Sequence, residues 1–130
     1  MKKIYDLTII GGGIIGCTIA RSICTKRKLN VLLIDKESSL GVHASTHNSG
    51  VIHSGFYYEP NSNKAKFSVA GSKLIISYCK KNNISFKQNG SLILANNENE
   101  VQTLESLKIN GEKNGVIGLR LIDQYEIHDF

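Results

Sequence analysis

Three glycines and one aspartate near the N-terminus have the types and spacing of a phosphate- and ribose-binding site. Gly11, Gly13 and Gly16 follow a run of β-type residues and open a helical pattern, and Asp35 ends a second apolar run. In such a pattern the first glycine permits a tight turn, the second lets the backbone approach a phosphate, and the third lets the helix lie close to the sheet. The free N–H groups and partial positive charge of the helix N-terminus then attract phosphate oxygens.

The elements around these residues predict a β–α–β unit over residues 4–35, which is the arrangement that holds a dinucleotide. The helix is expected from about Ile14 to Lys28, and the second strand, Val31 to Ile34, is apolar throughout, as is typical of a parallel strand covered on both faces. The helical positions expected to face the sheet are Ile15, Ile19, Ala20 and Ile23.

Asp35 lies nineteen positions after Gly16, where its carboxylate would accept hydrogen bonds from a ribose diol. An acid at this position disfavours a 2′-phosphate, so NADP is the least favoured dinucleotide, whereas NAD and FAD both remain open. The alternative interpretation is a glycine-rich turn with no ligand, which the agreement of strand, helix and terminal acid disfavours.

Residues 36–60 form a second block, rich in serine, glycine and histidine and without a helical or strand period. Long irregular segments that follow a strand of an open α/β sheet are where ligand contacts concentrate. His43 and His47 have a metal-ligand spacing, but no suitable carboxylate accompanies them, so no metal site is expected. His53 lies among small residues, and a hydrogen-bonded structural histidine is the alternative to a functional one.

The rest of the chain predicts further helices and short strands. A helix over 62–82 would place Phe67, Ala70, Leu74 and Tyr78 on one face. Gly71 inside this helix either weakens it or marks a close packing contact.

Two strands are expected around residues 85–87 and 92–95, with an Asn-Gly turn between them, and another over 119–122. Asn97, with a glutamate three residues later, predicts the N-cap of a third helix that ends near Gly111 and Gly115. Asp123 predicts one more cap close to the end of the sequence, which suggests the front part of a longer protein.

Composition narrows the class of protein. One domain is expected from 130 residues that are 41% hydrophobic with a single proline. The net charge of +5 comes from scattered lysines, which favours a solvated surface over a nucleic-acid groove. No apolar run reaches the roughly 18 residues of a membrane span, and the N-terminus makes a poor signal peptide. We therefore expect an intracellular protein whose cysteines, Cys17, Cys24 and Cys79, are reduced and structural.

The string HNSGVIHSGFYYEP, which begins at His47, gives the sequence a specific resemblance. It is similar to the FAD-dependent L-2-hydroxyglutarate dehydrogenases/oxidases, in the superfamily of D-amino-acid oxidase and glycerol-3-phosphate dehydrogenase. The resemblance covers essentially the whole chain, through TIIGGGIIG, LIDKE, SNKAKF, KQNGSLILA and GLRLIDQYEI.

The resemblance implies an α/β fold with a Rossmann-like FAD-binding βαβ domain, as the N-terminal part of a two-domain D-amino-acid oxidase-like flavoprotein. Residues 1–130 would hold the βαβ unit at 4–35 and a flavin-facing segment at 43–58, with the substrate domain largely absent. FAD is the implied cofactor. The family usually has glutamate where this sequence has Asp35, which is one methylene shorter but keeps the acceptor.

The implied site residues fall in the glycine loop, at the end of the second strand and along the flavin. The cofactor contacts would be Gly11, Gly13, Ile14, Ile15, Gly16, Asp35, Lys36, His47, Asn48, Ser49, Gly50 and Val51. His53 is the candidate general base, because histidine titrates near neutral pH. The family's base could equally lie outside these residues, and no metal is implied.

The implied reaction is the oxidation of L-2-hydroxyglutarate to 2-oxoglutarate by hydride transfer to the flavin. The alternatives are a related flavoprotein acting on glycerol 3-phosphate or an amine, and a non-catalytic truncated FAD-binding module. The implied partners are a 2-hydroxy dicarboxylate and an electron acceptor, quinone or oxygen, with no nucleic acid. A cytoplasmic location is expected, with peripheral contact at the inner membrane as a further option for the full-length protein.

Overall fold

Two parallel strands and one helix form the first part of the chain. The computed structural model describes residues 4–129, and the chain divides after Gly50 into two units. The first unit contains strand β1 (Leu7–Ile10), helix α1 (Ile14–Lys26) and strand β2 (Val31–Ile34). Leu7 pairs with Val31 and Ile10 with Ile34 in parallel register. The predicted α/β fold with its β–α–β unit is therefore confirmed.

Helix α1 approaches the strands through its smallest side chains. Gly16 is buried, and a Cβ at this position would collide with the carbonyl oxygen of Gly11. Ala20 and Ile23, both half-buried, continue the same face, as predicted. The prediction that Ile15 and Ile19 also face the sheet was wrong, since they are 73% and 45% exposed. Gly16 makes the close contact with the turn after β1, and the isoleucines on either side of it stay exposed.

The second unit contains two α-helices, α2 (Asn63–Lys81) and α3 (Glu98–Lys113). The hydroxyl of Ser62 accepts a hydrogen bond from the N–H of Ala65 at 3.1 Å and caps α2. The side chain of Asn97 accepts from the N–H of Glu100 at 3.0 Å and caps α3, as predicted. The returning bond differs from the ordinary capping box, because Glu100 accepts from the N–H of Asn96.

The ends of these helices also follow from small polar residues. Helix α3 ends at Lys113 with Asn114 as its C-cap, and Gly115 follows with a φ of 78°. Gly111, which was expected to end α3, lies buried in its last turn. The cap predicted at Asp123 forms, although it opens a 3₁₀ helix, Glu126–Asp129, and not an α-helix.

None of the three predicted strands after residue 84 forms within the part of the chain that the structure describes. The segments 85–87, 92–95 and 119–122 have no ladder partner there. Gly90 has the φ of 78° that a turn between the first two would use. A strand requires a neighbour to satisfy its backbone groups, and an isolated hairpin is marginal in water.

Helix α2 presents a different face to the second unit from the one that its sequence suggests. Phe67 and Leu74, two of the four residues predicted to share an apolar face, are 74% and 71% exposed. The other two expected positions, Ala70 and Tyr78, are exposed as well. Ala65 and Cys79 are buried instead. Because α2 carries apolar residues on more than one face, hydrophobic period alone could not identify the packed one.

The three cysteines of the chain differ in their exposure to solvent. All three cysteines are free; Cys79 is buried, Cys17 half-buried, and Cys24 exposed, contrary to the expectation of a buried apolar role. Within residues 4–129, no helix combines the length and the apolar character needed to cross a bilayer.

Substitution of Gly16 by alanine is expected to lower the free energy of unfolding by about 1–3 kcal/mol, the usual cost of overpacking. The physical cause is the collision of the new Cβ with backbone, the carbonyl of Gly11, which has no rotamer to yield. Urea denaturation of the two proteins measures the difference.

The matched control is Gly71→Ala in α2, where a Cβ has no heavy atom within 4 Å. This change removes the helix penalty of glycine and is expected to raise stability by about 0.5–1 kcal/mol. Equal effects of the two substitutions would contradict the close contact at Gly16.

Candidate functional site

The glycine loop lies between the end of β1 and the start of α1. The N–H of Gly11 donates to the carbonyl of Ile34 at 2.8 Å, which ties the loop to the end of β2. Gly11 has a φ of 108°, in the region that favours glycine. Gly13 is the N-cap of α1 and has no side chain that could accept from the first-turn N–H groups. The N-cap residue therefore leaves the first-turn N–H groups of α1 to other partners, and a helix N-terminus of this kind is a common anion-binding position.

Asp35 lies beside this loop, at the carboxyl end of β2. Its carboxylate accepts from the backbone N–H of Glu37 at 2.9 Å and from that of Gly12. These two bonds, that of Glu37 first, hold the pKa of Asp35 below its usual value. Partial desolvation opposes them, and the neighbouring side chains of His43 and Lys36 lower the pKa of Asp35 further to a smaller extent. The structure thus brings the acid and the glycine loop together, as the sequence predicts.

Ser45 is a residue of this site that the sequence analysis missed. Its hydroxyl oxygen accepts from the N–H of Ile14, in the first turn of α1, at 2.8 Å. The hydroxyl proton has no acceptor among residues 4–129, so it is free to donate to a ligand oxygen. The only signal in the sequence is indirect: Gly13 has no side chain with which to cap the helix, so the first-turn N–H groups are left for other acceptors.

The segment after β2 is held against the glycine loop by its own hydrogen bonds. The N–H of Gly41 donates to the carbonyl of Gly12 at 3.0 Å. The side chain of Asn48 donates to the carbonyl of Ala44 at 3.0 Å and accepts from the N–H of Gly50 at 2.8 Å. Asn48, expected as a polar contact of the cofactor, therefore first orders the backbone around it.

The charged and imidazole groups of this segment have local partners. Nε2 of His43 lies 2.9 Å from Oε1 of Glu37, and Nζ of Lys36 lies 3.7 Å from the same oxygen. Nδ1 of His47 lies 3.1 Å from the carbonyl oxygen of His43, which fits the tautomer protonated at Nδ1. Ser49, in contrast, has no hydrogen-bond partner within the described residues.

The predicted catalytic residue belongs to the second unit. His53 is exposed and lines a cavity of about 210 Å³ together with residues 54–58. The rings of Phe56 and Tyr57 meet edge to face there, with 6.0 Å between their centroids. The cavity thus offers one imidazole beside aromatic walls, which is chemically suitable for proton transfer at an organic substrate.

The predicted contacts therefore divide between the two units. The first unit brings together the glycine loop and the segment after β2, and the second contains Val51 and His53. The residues of the first unit are Gly11, Gly13, Ile14, Ile15, Gly16, Asp35, Lys36, His47, Asn48, Ser49 and Gly50. The role of each one as a contact stays a prediction.

The first unit fits the adenosine half of a dinucleotide. The N-terminus of α1 suits the pyrophosphate, because the glycines of the loop carry no side chains and the N-cap residue supplies no acceptor, while Ser45 accepts from the N–H of Ile14. An ionised carboxylate at the neighbouring strand end suits a ribose diol.

Comparison with known proteins agrees with this geometry. The profile of the DAO family of FAD-dependent oxidoreductases matches residues 6–130. L-2-hydroxyglutarate dehydrogenase, mitochondrial, of Bos taurus is 48% identical over 124 residues, which are 95% of this chain and 27% of that protein. The proteins of the same name from Homo sapiens and Dictyostelium discoideum are 47% and 43% identical over 95% and 96% of this chain.

A solved structure is similar as well. L-α-glycerophosphate oxidase from Mycoplasma pneumoniae with FAD bound superposes with a TM-score of 0.73 at 33% identity, over 96% of this chain and 31% of that one. The chain spans less than a third of the length of these relatives. The profile match across both units shows that the chain belongs to the DAO family of FAD-dependent oxidoreductases, in which FAD is the cofactor.

Proposed function

We propose that the protein takes part in the FAD-dependent oxidation of L-2-hydroxyglutarate to 2-oxoglutarate. The observation that carries the proposal is the 43–48% identity, over at least 91% of this chain, to proteins named L-2-hydroxyglutarate dehydrogenase. The chain would supply the FAD-binding βαβ unit and a flavin-facing segment, and a substrate domain would lie outside residues 1–130.

In this proposal the first unit holds the adenosine half of FAD. The N–H groups at the start of α1 and the hydroxyl of Ser45 would bind the pyrophosphate, and Asp35 would accept from the ribose hydroxyls. When bound, FAD supplies the acceptor for the hydride that leaves C2 of the substrate. The segment from His47 to Val51 would lie along the flavin.

His53 is the proposed general base in the second unit. Oxidation of a carbinol requires that its hydroxyl proton leave as the carbonyl forms, and an imidazole accepts a proton readily near neutral pH. The exposed ring of His53 in the cavity of residues 53–58 supports this role. The side chains that bind the substrate carboxylates are expected outside this chain.

Glycerol 3-phosphate is a second candidate substrate, because the solved structure that resembles this chain is a glycerophosphate oxidase. The higher identity to the L-2-hydroxyglutarate dehydrogenases favours the hydroxy dicarboxylate. The electron acceptor, quinone or oxygen, belongs to the same proposal. The relatives are named as mitochondrial, and the cytoplasmic location expected for this chain stays a prediction, as does peripheral contact with a membrane.

Anaerobic addition of L-2-hydroxyglutarate to the intact FAD-loaded protein is expected to bleach the flavin absorbance, and glycerol 3-phosphate is expected to leave it unchanged. His53→Ala should retain FAD but slow this reduction by about 10²–10⁴-fold, the usual contribution of a positioned base. Stopped-flow absorbance measures the rate per bound flavin.

The matched control is His128→Ala, which removes another exposed histidine of the second unit. Near-normal reduction by the His53 variant would exclude His53 as the base. Bleaching by glycerol 3-phosphate alone would replace the proposed substrate.

Asp35→Asn is expected to raise the Kd for FAD by about 10–100-fold, because it removes a charged acceptor from the ribose and turns an amide toward backbone N–H groups. In the wild-type protein the lowered pKa keeps Asp35 ionised, so affinity should stay constant from about pH 8 to pH 5 and weaken only below about pH 4.

The sign of the stability effect follows from the same shift. A depressed pKa stabilises the folded loop above the unfolded-state pKa of about 3.9, and this contribution is lost as the pH falls through the folded-state pKa. Flavin fluorescence measures Kd, and urea denaturation measures stability. An unchanged Kd in the Asp35→Asn variant would contradict the ribose contact.

A further inference from the structure

Asn114 makes two long-range hydrogen bonds that none of the predicted site residues explains. It is the C-cap of α3, and its side-chain Nδ2 donates to the carbonyl oxygen of Gly55 at 3.0 Å and to that of Tyr58 at 2.8 Å. A primary amide has two hydrogens, so both are used on one short loop. The amide is part-buried, where such bonds are less open to competition from water.

Two glycines bring this loop within reach of Asn114. Gly111, one turn earlier in α3, is buried, and a Cβ there would lie 2.8 Å from Cβ of Phe56. Gly55 is buried as well, with a φ of 98°, and its Cβ would lie 2.7 Å from Cγ2 of Val69 in α2. The loop 55–58 is therefore in close contact with both helices of the second unit.

The same loop borders the candidate base. Gly55 and Tyr58 line the cavity of about 210 Å³ that His53 also lines. Fixing the carbonyls of Gly55 and Tyr58 fixes the peptide planes at both ends of the loop, which begins two residues after His53. The position of this loop, which begins two residues after His53, thus depends on a helix that ends more than fifty residues later in the sequence.

We propose that Asn114 is a positioning residue, which sets the orientation of the segment 53–58 for the chemistry at the flavin. This proposal rests on the proposed function of that segment. It assigns to α3 a role beyond packing. Such a role would affect the rate, since a misplacement of about 1 Å at a reacting group can cost about 10²-fold.

The chain contains a matched control for a purely structural role. Asn82 is the C-cap of α2, and its Nδ2 donates to the carbonyl of Tyr78 in its own helix at 2.8 Å. Asn82→Ala and Asn114→Ala therefore remove the same group from the same helical position. Only the second releases the loop 55–58.

The experiment compares the intact wild-type protein with Asn114→Ala, Asn114→Asp and Asn82→Ala, each loaded with FAD. Asn114→Asp keeps the shape but turns a carboxylate toward two carbonyl oxygens. Both Asn114 variants are expected to slow reduction of the bound flavin by L-2-hydroxyglutarate by about 10–100-fold per flavin. The reduction rate of Asn82→Ala, and the Kd for FAD of every variant, should stay within about twofold of wild type, since these changes lie outside the proposed FAD contacts.

Hydrogen exchange of the backbone amides of residues 53–58 provides a second readout that does not depend on substrate. It should rise about tenfold in Asn114→Ala, which loses both hydrogen bonds to the loop, and stay unchanged in Asn82→Ala. Unchanged exchange, or a normal reduction rate per flavin, would overturn the proposal.

The two measurements, flavin reduction and hydrogen exchange, also test this proposal separately from the proposed function. A wild-type protein whose flavin L-2-hydroxyglutarate does not reduce would contradict the substrate assignment. Exchange in the Asn114 variants would still decide whether Asn114 fixes the segment 53–58. Equal losses of rate in Asn114→Ala and Asn82→Ala would reduce Asn114 to a stabilising cap.

Discussion

The first unit depends on the contact between Gly16 of α1 and the carbonyl of Gly11. Because residue 16 has no side chain, the helix lies against the turn that leaves β1, and its N-terminus opens beside the glycine loop. The bond from Gly11 to Ile34 then joins that loop to the end of β2, where Asp35 follows. The N-terminus of α1 and the carboxylate of Asp35, which are the groups proposed to bind pyrophosphate and ribose, thus come to one edge of the sheet as a consequence of a single close approach.

The second unit also combines a close glycine contact with a polar side chain that binds loop backbone, but here the side chain binds carbonyl groups and not N–H groups. Gly111 allows α3 to approach Phe56, just as Gly16 allows α1 to approach its turn. In the first unit a carboxylate accepts from backbone N–H groups, whereas in the second the amide of Asn114 donates to backbone carbonyls. Each loop is thus held by a polar side chain that forms hydrogen bonds with backbone groups of that loop.

The sequence predicted those parts of the structure that depend on local rules. The β–α–β unit, the N-cap of α3 at Asn97 and the position of Asp35 all follow from glycine spacing, capping chemistry and period. The strands expected after residue 84 depend on partners that no local pattern specifies. Ser45 and Asn114 act on backbone far away in the sequence, and a lone serine or asparagine carries no mark of such a partner.

The glycine loop is built almost entirely from peptide groups, and residues 11–16 contain no ionisable side chain. Peptide dipoles neither gain nor lose protons, so the charge that they offer to an anion is the same in acidic and alkaline compartments. The carboxylate of Asp35 likewise stays charged well into the acidic range. From neutral pH into the acidic range, the charges that the glycine loop and Asp35 present to a ligand therefore do not change with proton concentration.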